Sequence, residues 1–267
     1  MAPTGTLGEL IGLSEAAVAG LLPRRHELEV EAGARPPGPS FVAALQGETV
    51  AVIAEVKRRS PSRGDLDSSL SAGDRSVSYV RGGAAAISVL TEPTRFGGSL
   101  GDLAEVVRVA CPAPVLRKDF IVHELQVLEA KAAGASAVLL IARALPPELL
   151  AALVGFSRAH EIEPFVETRD AAEIARAVEA GATVIGINAR NLETLQIDAD
   201  LVPGLLGHVP VELLAVAESG IGDRAAVERL ARAGADAVLV GSVLTLASDG
   251  AQAVRDLAGV LRSGRAA

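Results

Sequence analysis

The 267-residue chain has little cysteine and few aromatic residues: Cys111 is its only cysteine, it has no tryptophan, and aromatic residues make up 2% of the sequence. A single cysteine excludes an intramolecular disulfide framework and the clustered thiolates of a zinc or iron–sulfur site. No spacing of carboxylates and histidines suggests a metal either. We therefore expect a reducing, cytoplasmic environment and no metal.

Excess positive charge and long apolar runs are also missing. The net charge is −8, and the basic residues are scattered, so we expect no nucleic-acid partner. No uninterrupted apolar run approaches the roughly 18 residues that a membrane helix needs. The apolar stretch at residues 16–22 follows Glu9 and Glu15, not the basic residues of a secretory signal. We expect neither a membrane partner nor a targeting segment.

The chain does contain a repeat. A Gly-Ala phrase followed by an apolar run recurs roughly every 50 residues, at Gly83, Gly134, Gly181 and Gly234. Most of these glycines follow a helix-forming segment, and each precedes a segment typical of a buried strand. Four further apolar runs lie between them, at residues 50–55, 114–117, 164–167 and 213–218.

Eight strands alternating with helices predict an α/β fold, a (β/α)8 TIM barrel, over residues 49–267. An open, doubly wound sheet is the alternative, but it has no reason to repeat so evenly, and no G-x-G-x-x-G follows a strand. Residues 1–48 do not follow the repeat and include a proline-rich, non-helical connector at residues 35–40. For them we predict an N-terminal extension of one or two helices packed on the barrel, with a disordered or engineered leader as the alternative.

Polar residues end five of the predicted strands. In a TIM barrel the active site is built at the carboxyl ends of the strands. Glu55 and Lys57 end the first strand, and alternation puts them on one face. The other polar strand ends are Arg117-Lys118-Asp119, Glu167, Asn188-Ala189-Arg190 and Glu218-Ser219-Gly220. One such residue could be a solvated strand end or a structural ion pair, but five favour acid–base chemistry on an anionic substrate.

Small residues after the last two strands predict a phosphate site. Ser219, Gly220 and Gly222 follow the seventh strand, and Gly241 and Ser242 follow the eighth. Their backbone N–H groups can approach an anion, with a helix N-terminus behind them. The alternative is that the glycines serve only in turns. Cys111 and the four histidines do not end predicted strands, and we predict that they are not catalytic.

Five motifs, in order along residues 48–245, resemble the indole-3-glycerol-phosphate synthases. They are Ile53-Ala-Glu-Val-Lys-Arg-Arg-Ser-Pro-Ser62, Ser88-Val-Leu-Thr-Glu92 with Phe96-Gly-Gly-Ser99, Leu116-Arg-Lys-Asp-Phe-Ile121, Ile185-Gly-Ile-Asn-Ala-Arg-Asn-Leu192 and Ala217-Glu-Ser-Gly-Ile221. The resemblance implies conversion of 1-(2-carboxyphenylamino)-1-deoxyribulose 5-phosphate to indole-3-glycerol phosphate, carbon dioxide and water in tryptophan biosynthesis. It also implies a phosphorylated small-molecule substrate and no cofactor.

The same resemblance implies roles for the residues at strand ends. Lys118 would be the general acid that protonates the ketone during ring closure. Lys57 would bind the anionic substrate, and the division of later acid steps between the two lysines stays open. Glu55 and Glu167 would be the acid–base carboxylates. The remaining implied roles are orientation of the substrate by Asn188 and Glu218, phosphate binding by Gly220, Gly241 and Ser242, contact with the anthranilate carboxylate by Arg190 and Ser60, enclosure of the ring by Phe96, Phe120 and Leu139, and substrate binding by Ser219.

Three other functions are alternatives for such a barrel. A barrel aldolase needs a Schiff-base lysine isolated from carboxylates, a phosphoribosylanthranilate isomerase is expected to have a cysteine and an aspartate at strand ends, and a non-catalytic phosphate-binding barrel would have a broken motif position. The sequence fits none of them well. We expect a monomer or a weak homodimer.

Overall fold

Eight parallel strands close a barrel in the computed structural model, which describes residues 3–60, 64–65 and 70–265. The strands are β1 (Ala51–Val56), β2 (Ala86–Leu90), β3 (Val115–Lys118), β4 (Ala137–Ile141), β5 (Glu163–Thr168), β6 (Val184–Asn188), β7 (Leu214–Glu218) and β8 (Ala237–Val240). Each pairs with the next along the chain, and β8 pairs with β1. The predicted (β/α)8 barrel is confirmed, and the open sheet was the wrong alternative.

Thirteen helices precede, connect and follow the strands in the part of the chain that the structure describes. They are α1 (Gly5–Leu21), α2 (Arg25–Ala34), α3 (Phe41–Leu45), α4 (Ala72–Arg81), α5 (Pro93–Phe96), α6 (Leu100–Val109), α7 (Glu124–Ala132), α8 (Pro147–Ala159), α9 (Ala171–Glu179), α10 (Leu201–Leu205), α11 (Arg224–Arg232), α12 (Ser242–Leu246) and α13 (Gly250–Leu257), with 3-10 turns at Leu22–Arg24 and Leu206–His208. Polar caps start several of them: Ser99 accepts from the N–H of Asp102, and Asp223 from that of Ala226. Gly83 and Gly134 follow helices with φ of 96° and 91°, a conformation that favours glycine.

The barrel interior is filled at its lower end. Ile53, Leu116 and Phe165 point inward with fully buried side chains. Phe41 of α3 packs against Phe165, with ring centroids 6.2 Å apart and planes at 82°. Since α3 comes just before β1, it covers the amino ends of the strands. Only the carboxyl ends are left to form a site.

The structure places three helices before β1, more than the one or two predicted. Phe41–Leu45 adds the third because Ser40 caps it after the proline-rich connector. The stretch Gly5–Ala34 is also long and apolar enough, by length and composition only, to cross a membrane. This measure does not contradict the absence of a long uninterrupted apolar run, because it uses the mean hydropathy of a window that may contain up to two charged residues. Core helices of soluble proteins and signal sequences pass the same test; 28% of the tested window is buried, and the inner face of α1 packs on the barrel.

Candidate active site

A cavity of about 1140 Å3 opens at the carboxyl ends of the strands. Fifteen site residues were predicted from the sequence, and fourteen of them line this cavity. They are Glu55, Lys57, Phe96, Lys118, Phe120, Leu139, Glu167, Asn188, Arg190, Glu218, Ser219, Gly220, Gly241 and Ser242. The side chain of Ser60 lies outside the described residues.

Four charged side chains form one layer across the barrel: Glu55, Lys118, Glu167 and Glu218. Glu55 pairs through Ser88 of β2 with Leu116 of β3, and Lys118 lies two residues further on. The same relation, across one intervening strand and then two residues further along the next, leads from Lys118 to Glu167, from Glu167 to Glu218, and from Glu218 back to Glu55. Side chains from alternate strands share a height in this type of barrel. Acid and base groups on distant parts of the chain therefore meet.

Lys118 occupies the centre of this layer. Its Nζ donates to Glu218 Oε2 at 2.7 Å and to Glu167 Oε2 at 3.2 Å. Burial alone would lower the pKa of Lys118, but Glu218, Glu167 and Glu55 outweigh it and raise that pKa above its usual range. The lysine is therefore an ammonium at neutral pH.

Glu218 is the most buried carboxylate of the layer, with 1% of its side chain exposed. Burial raises the pKa of Glu218 to about 7, although Lys118 acts in the opposite direction. Its Oε1 is buried and has no hydrogen-bond partner among the described residues. Gly186 of β6 makes room for this oxygen, because a Cβ there would overlap it. Glu218 is therefore poised to exchange a proton near neutral pH.

A second pair of lysine and carboxylate lies at the end of β1: Glu55 is in the strand, and Lys57 is the first residue after it. Lys57 Nζ is 2.8 Å from Glu55 Oε1 and donates to Ser242 Oγ at 3.3 Å. Burial would raise the pKa of Glu55, but Lys57, Lys118 and Arg190 hold it below its usual range. A Cβ on Gly241 would overlap the Glu55 carboxylate and lie 2.8 Å from Lys57 Nζ. Glycine at this position therefore lets the loop after β8 approach the pair.

The loop after β6 is tied to the strand that precedes it. Asn188 Oδ1 accepts from the backbone N–H of Arg190 at 2.9 Å, and Arg190 Nη1 donates to the carbonyl of Leu195 at 3.0 Å. Arg190 also pairs with Ile197 in an isolated antiparallel bridge. These contacts place a guanidinium on the cavity wall. Arg117 behaves differently: it is on the outer face of β3 and pairs with Asp119 and Glu129.

The loops after β7 and β8 have backbone geometry suited to an anion. Ser219 and Gly220 have φ of 68° and 71°. A non-glycine residue in this left-handed region carries strain, which structures retain mainly at functional sites. After β8, Gly241 precedes α12 without capping it by a side chain, so the first N–H groups of that helix are available to a ligand.

The other end of the cavity is apolar. The rings of Phe96 and Phe120 lie with centroids 6.4 Å apart and planes at 31°, and Leu139 is buried beside them. Thr6 and Leu10 of the N-terminal segment also line the cavity, and the sequence analysis missed both. The signal was the helical spacing of the buried positions Leu7, Leu10, Ile11, Ser14 and Val18 in α1.

Comparison with known proteins gives one family. The profile of the indole-3-glycerol phosphate synthase family matches residues 13–257. Indole-3-glycerol phosphate synthase 2 of Streptomyces coelicolor is 44% identical over 262 residues, covering 96% of this chain and 100% of that protein. The indole-3-glycerol phosphate synthase of a Nocardioides species is 50% identical over 226 residues, covering 85% of each chain.

Solved structures match the fold at low sequence identity. Thiamine phosphate pyrophosphorylase of Pyrococcus furiosus superposes with a TM-score of 0.60 and 17% identity, covering 78% of this chain and 93% of that one. 3-Hexulose-6-phosphate synthase of Salmonella typhimurium gives a TM-score of 0.62 and 16% identity, covering 78% and 96%. At these identities the likeness supports the barrel fold alone.

Proposed function

This chain belongs to the indole-3-glycerol phosphate synthase family, carboxy-lyases of tryptophan biosynthesis, and we propose which of its side chains carry out each step of that reaction. The substrate is 1-(2-carboxyphenylamino)-1-deoxyribulose 5-phosphate, and the products are indole-3-glycerol phosphate, carbon dioxide and water. One observation carries the proposal. The ammonium of Lys118 lies between the buried carboxylates of Glu167 and Glu218 in a cavity with one apolar end and one end suited to phosphate.

Ring closure needs an acid at the ketone. The ring carbon that bears the carboxylate bonds to the ketone carbon, and the ketone oxygen takes a proton from Lys118. Its raised pKa keeps Lys118 protonated at neutral pH, and Glu167 and Glu218 hold its Nζ in place. General acid catalysis by a positioned group typically contributes about 10²–10⁴-fold.

Decarboxylation then restores the aromatic ring. The bond from the ring carbon to the carboxylate breaks, carbon dioxide leaves, and the electron pair returns to the ring. We assign contact with the carboxylate before it leaves to Arg190, and enclosure of the ring to the apolar slot of Phe96, Phe120 and Leu139. Because the negative charge of the carboxylate passes to the ring as carbon dioxide forms, a cation at the carboxylate positions the substrate for ring closure and does not itself accelerate the cleavage.

Loss of water completes the indole. The C–O bond to the former ketone oxygen breaks as that oxygen takes a second proton, and a carboxylate removes a proton from the carbon next to nitrogen. We assign the proton removal to Glu167 and the second acid step to Lys57, whose ammonium is paired with Glu55. Reprotonated Lys118 is the alternative acid. The choice between Lys57 and Lys118 concerns this second acid step alone.

The phosphate is assigned to Gly220, Gly241 and Ser242. In support, Lys57 Nζ contacts the Ser242 hydroxyl and so brings positive charge to that loop. The deoxyribulose part of the substrate is oriented by Asn188, Glu218 and Ser219. An aldolase mechanism is disfavoured, because a Schiff base needs a neutral amine and the raised pKa of Lys118 opposes one.

The setting of the enzyme is part of the proposal. Cys111 is exposed and free, which fits a reducing cytoplasm. A monomer or weak homodimer, without nucleic-acid or membrane partners, stays a prediction, as does the division at residue 48 between extension and barrel.

A fluorescence assay for indole-3-glycerol phosphate tests the proposal directly. We expect the purified chain to convert the synthetic substrate and release one carbon dioxide per indole formed. Glu167→Gln, which keeps the shape of the side chain but not its basicity, is the control and should lose nearly all turnover. Absence of product from the folded wild type would overturn the proposed function.

A further inference from the structure

We propose that Ser14 and Gln126 are positioning residues, which fix the ring slot by holding the main chain at Phe120. The inference rests on the proposed function, because the slot is assigned there to the aromatic ring of the substrate. Neither residue lines the cavity. Both act through Phe120, which does.

A short chain of buried hydrogen bonds joins α1 to the loop after β3. Ser14 Oγ donates to the carbonyl of Phe120, and Gln126 Nε2 donates to Ser14 Oγ at 2.8 Å. Gln126 Oε1 accepts from the N–H groups of Val122 and His123 at 2.8 and 3.1 Å. Ser14 is 9% exposed and Gln126 is 5% exposed. Buried polar groups with satisfied partners hold one geometry, because an unsatisfied alternative is costly.

Phe120 links this network to the site. It lies two residues after Lys118, and its ring faces that of Phe96 across the slot. Its carbonyl has a second contact, Gln126 Nε2, at only 3.4 Å. Removal of the Ser14 hydroxyl therefore leaves the carbonyl with one long bond and takes away an acceptor from Gln126. The loop can then shift and change the width of the slot.

The other polar contacts between the N-terminal segment and the cavity loops are weaker restraints. Arg95 contacts Glu9 at 2.6 Å and the N–H of Thr4 donates to Glu193 at 3.0 Å, both in exposed positions, and the half-buried N–H of Thr6 donates to the carbonyl of Glu193 at 3.2 Å. Exposed pairs contribute little to holding a structure. These contacts go to the loops after β2 and β6, whereas the buried Ser14 and Gln126 hold the loop that carries Phe120.

The position of the network predicts which kinetic constant changes. Lys118, Glu167 and Glu218 make no contact with Ser14 or Gln126 in the hydrogen bonds described above, so kcat should be preserved. Binding of the ring should weaken. Loss of one hydrogen bond of ordinary strength corresponds to a KM rise of roughly 5- to 10-fold.

The test compares Ser14→Ala with Ser157→Ala, a matched control. Ser157 in α8 is fully buried, and its hydroxyl also donates to a backbone carbonyl, that of Leu153, at 2.7 Å. For both variants and the wild type we would measure kcat, KM and inhibition by 2-aminobenzoate, a probe of the slot, and by inorganic phosphate, a probe of the other end. Ser14→Thr, which keeps the hydroxyl, is the rescue variant.

We expect Ser14→Ala to raise KM and to weaken 2-aminobenzoate inhibition by similar factors, with kcat and phosphate inhibition within twofold of wild type. Ser14→Thr and Ser157→Ala should resemble the wild type. Unchanged 2-aminobenzoate inhibition in Ser14→Ala, or an equal loss in Ser157→Ala, would overturn the inference. If the wild type forms no product, the proposed function fails, and calorimetric binding of 2-aminobenzoate still decides whether Ser14 shapes the slot.

Discussion

Replacement of Lys118 by methionine should destabilise the protein in a way that depends on pH. The lysine is the one cation in a layer with three carboxylates, those of Glu55, Glu167 and Glu218, and its Nζ lies within 3.2 Å of two of them. Removing one partner of a buried ion pair typically costs about 3–5 kcal/mol, because the other charge stays buried and uncompensated. For a chain of this size, each kcal/mol lowers Tm by roughly 2–4 °C.

The sign of the pH dependence follows from Glu218. Burial raises the pKa of Glu218 to about 7, and Lys118 opposes that rise, so the pKa should rise further in Lys118→Met. A carboxyl with a raised folded-state pKa contributes stability that is fully present below its unfolded value, near 4.5. That stability is lost as the pH rises through the folded-state pKa. Each additional pKa unit adds about 1.4 kcal/mol to the loss.

Urea unfolding at pH 5.5 and pH 8.5 measures this effect. We expect the difference in free energy of unfolding between wild type and Lys118→Met to be larger at pH 8.5 by about 1 kcal/mol or more. Lys131→Met is the control: Lys131 is also buried, but its Nζ contacts a backbone carbonyl, that of Glu161, at 3.5 Å. The loss of free energy of unfolding caused by Lys131→Met should change little between the two pH values. An equal or larger cost of Lys118→Met at pH 5.5 would refute the reasoning.

Three further substitutions test separate parts of the structure. Glu167→Gln should lower kcat by about 10²–10⁴-fold with little change in KM, as measured by steady-state kinetics, and near-normal kcat would remove Glu167 from the mechanism. Gly241→Val should lower kcat as well as raise KM, because its Cβ would overlap the Glu55 carboxylate; an effect on KM alone would mean that only phosphate approach is blocked. Asp236→Asn should lower the free energy of unfolding by about 3–5 kcal/mol without changing KM, because Asp236 is buried and paired with Arg265 near the C-terminus. Urea unfolding and steady-state kinetics of Asp236→Asn measure the two quantities, and a free energy of unfolding equal to that of the wild type would show that the pair of Asp236 and Arg265 does not stabilise the fold.

The barrel could be predicted because its strands carry local signals. Each Gly-Ala phrase ends a helix in the left-handed conformation and begins a strand, as at Gly83 before β2 and Gly134 before β4. The positions of the site residues on strand ends followed from the same periodicity and from general barrel architecture. Their roles came from the resemblance to a family and remain to be tested.

Contacts over long sequence separations could not be predicted in this way. Ser14 bonds to Phe120 across 106 residues, and no local pattern in α1 indicates which loop it meets. The sequence also left open whether the N-terminal extension has one helix or two, and it did not predict the third, Phe41–Leu45. The shifted pKa of Glu218 depends on burial and on charges from three other strands, which the sequence alone does not bring together.

The charged layer also explains why these residues are found on alternate strands. Two residues below Glu55, Lys118, Glu167 and Glu218 lie Ile53, Leu116, Phe165 and Val216, all fully buried and apolar. Alternation along each odd-numbered strand thus places an apolar floor directly beneath a polar layer. That floor excludes water from below, so Coulombic interactions within the layer are strong. They raise the pKa of Lys118 against the effect of burial, whereas at Glu218 burial outweighs Lys118 and raises the pKa to about 7. The lysine gains enough from three carboxylates to stay charged, whereas Glu218, the most buried of them, does not gain enough from one lysine to stay fully ionised. An ammonium that is protonated at neutral pH before it donates, next to a carboxylate whose pKa lies near 7, is a combination suited to the successive proton transfers of the proposed reaction.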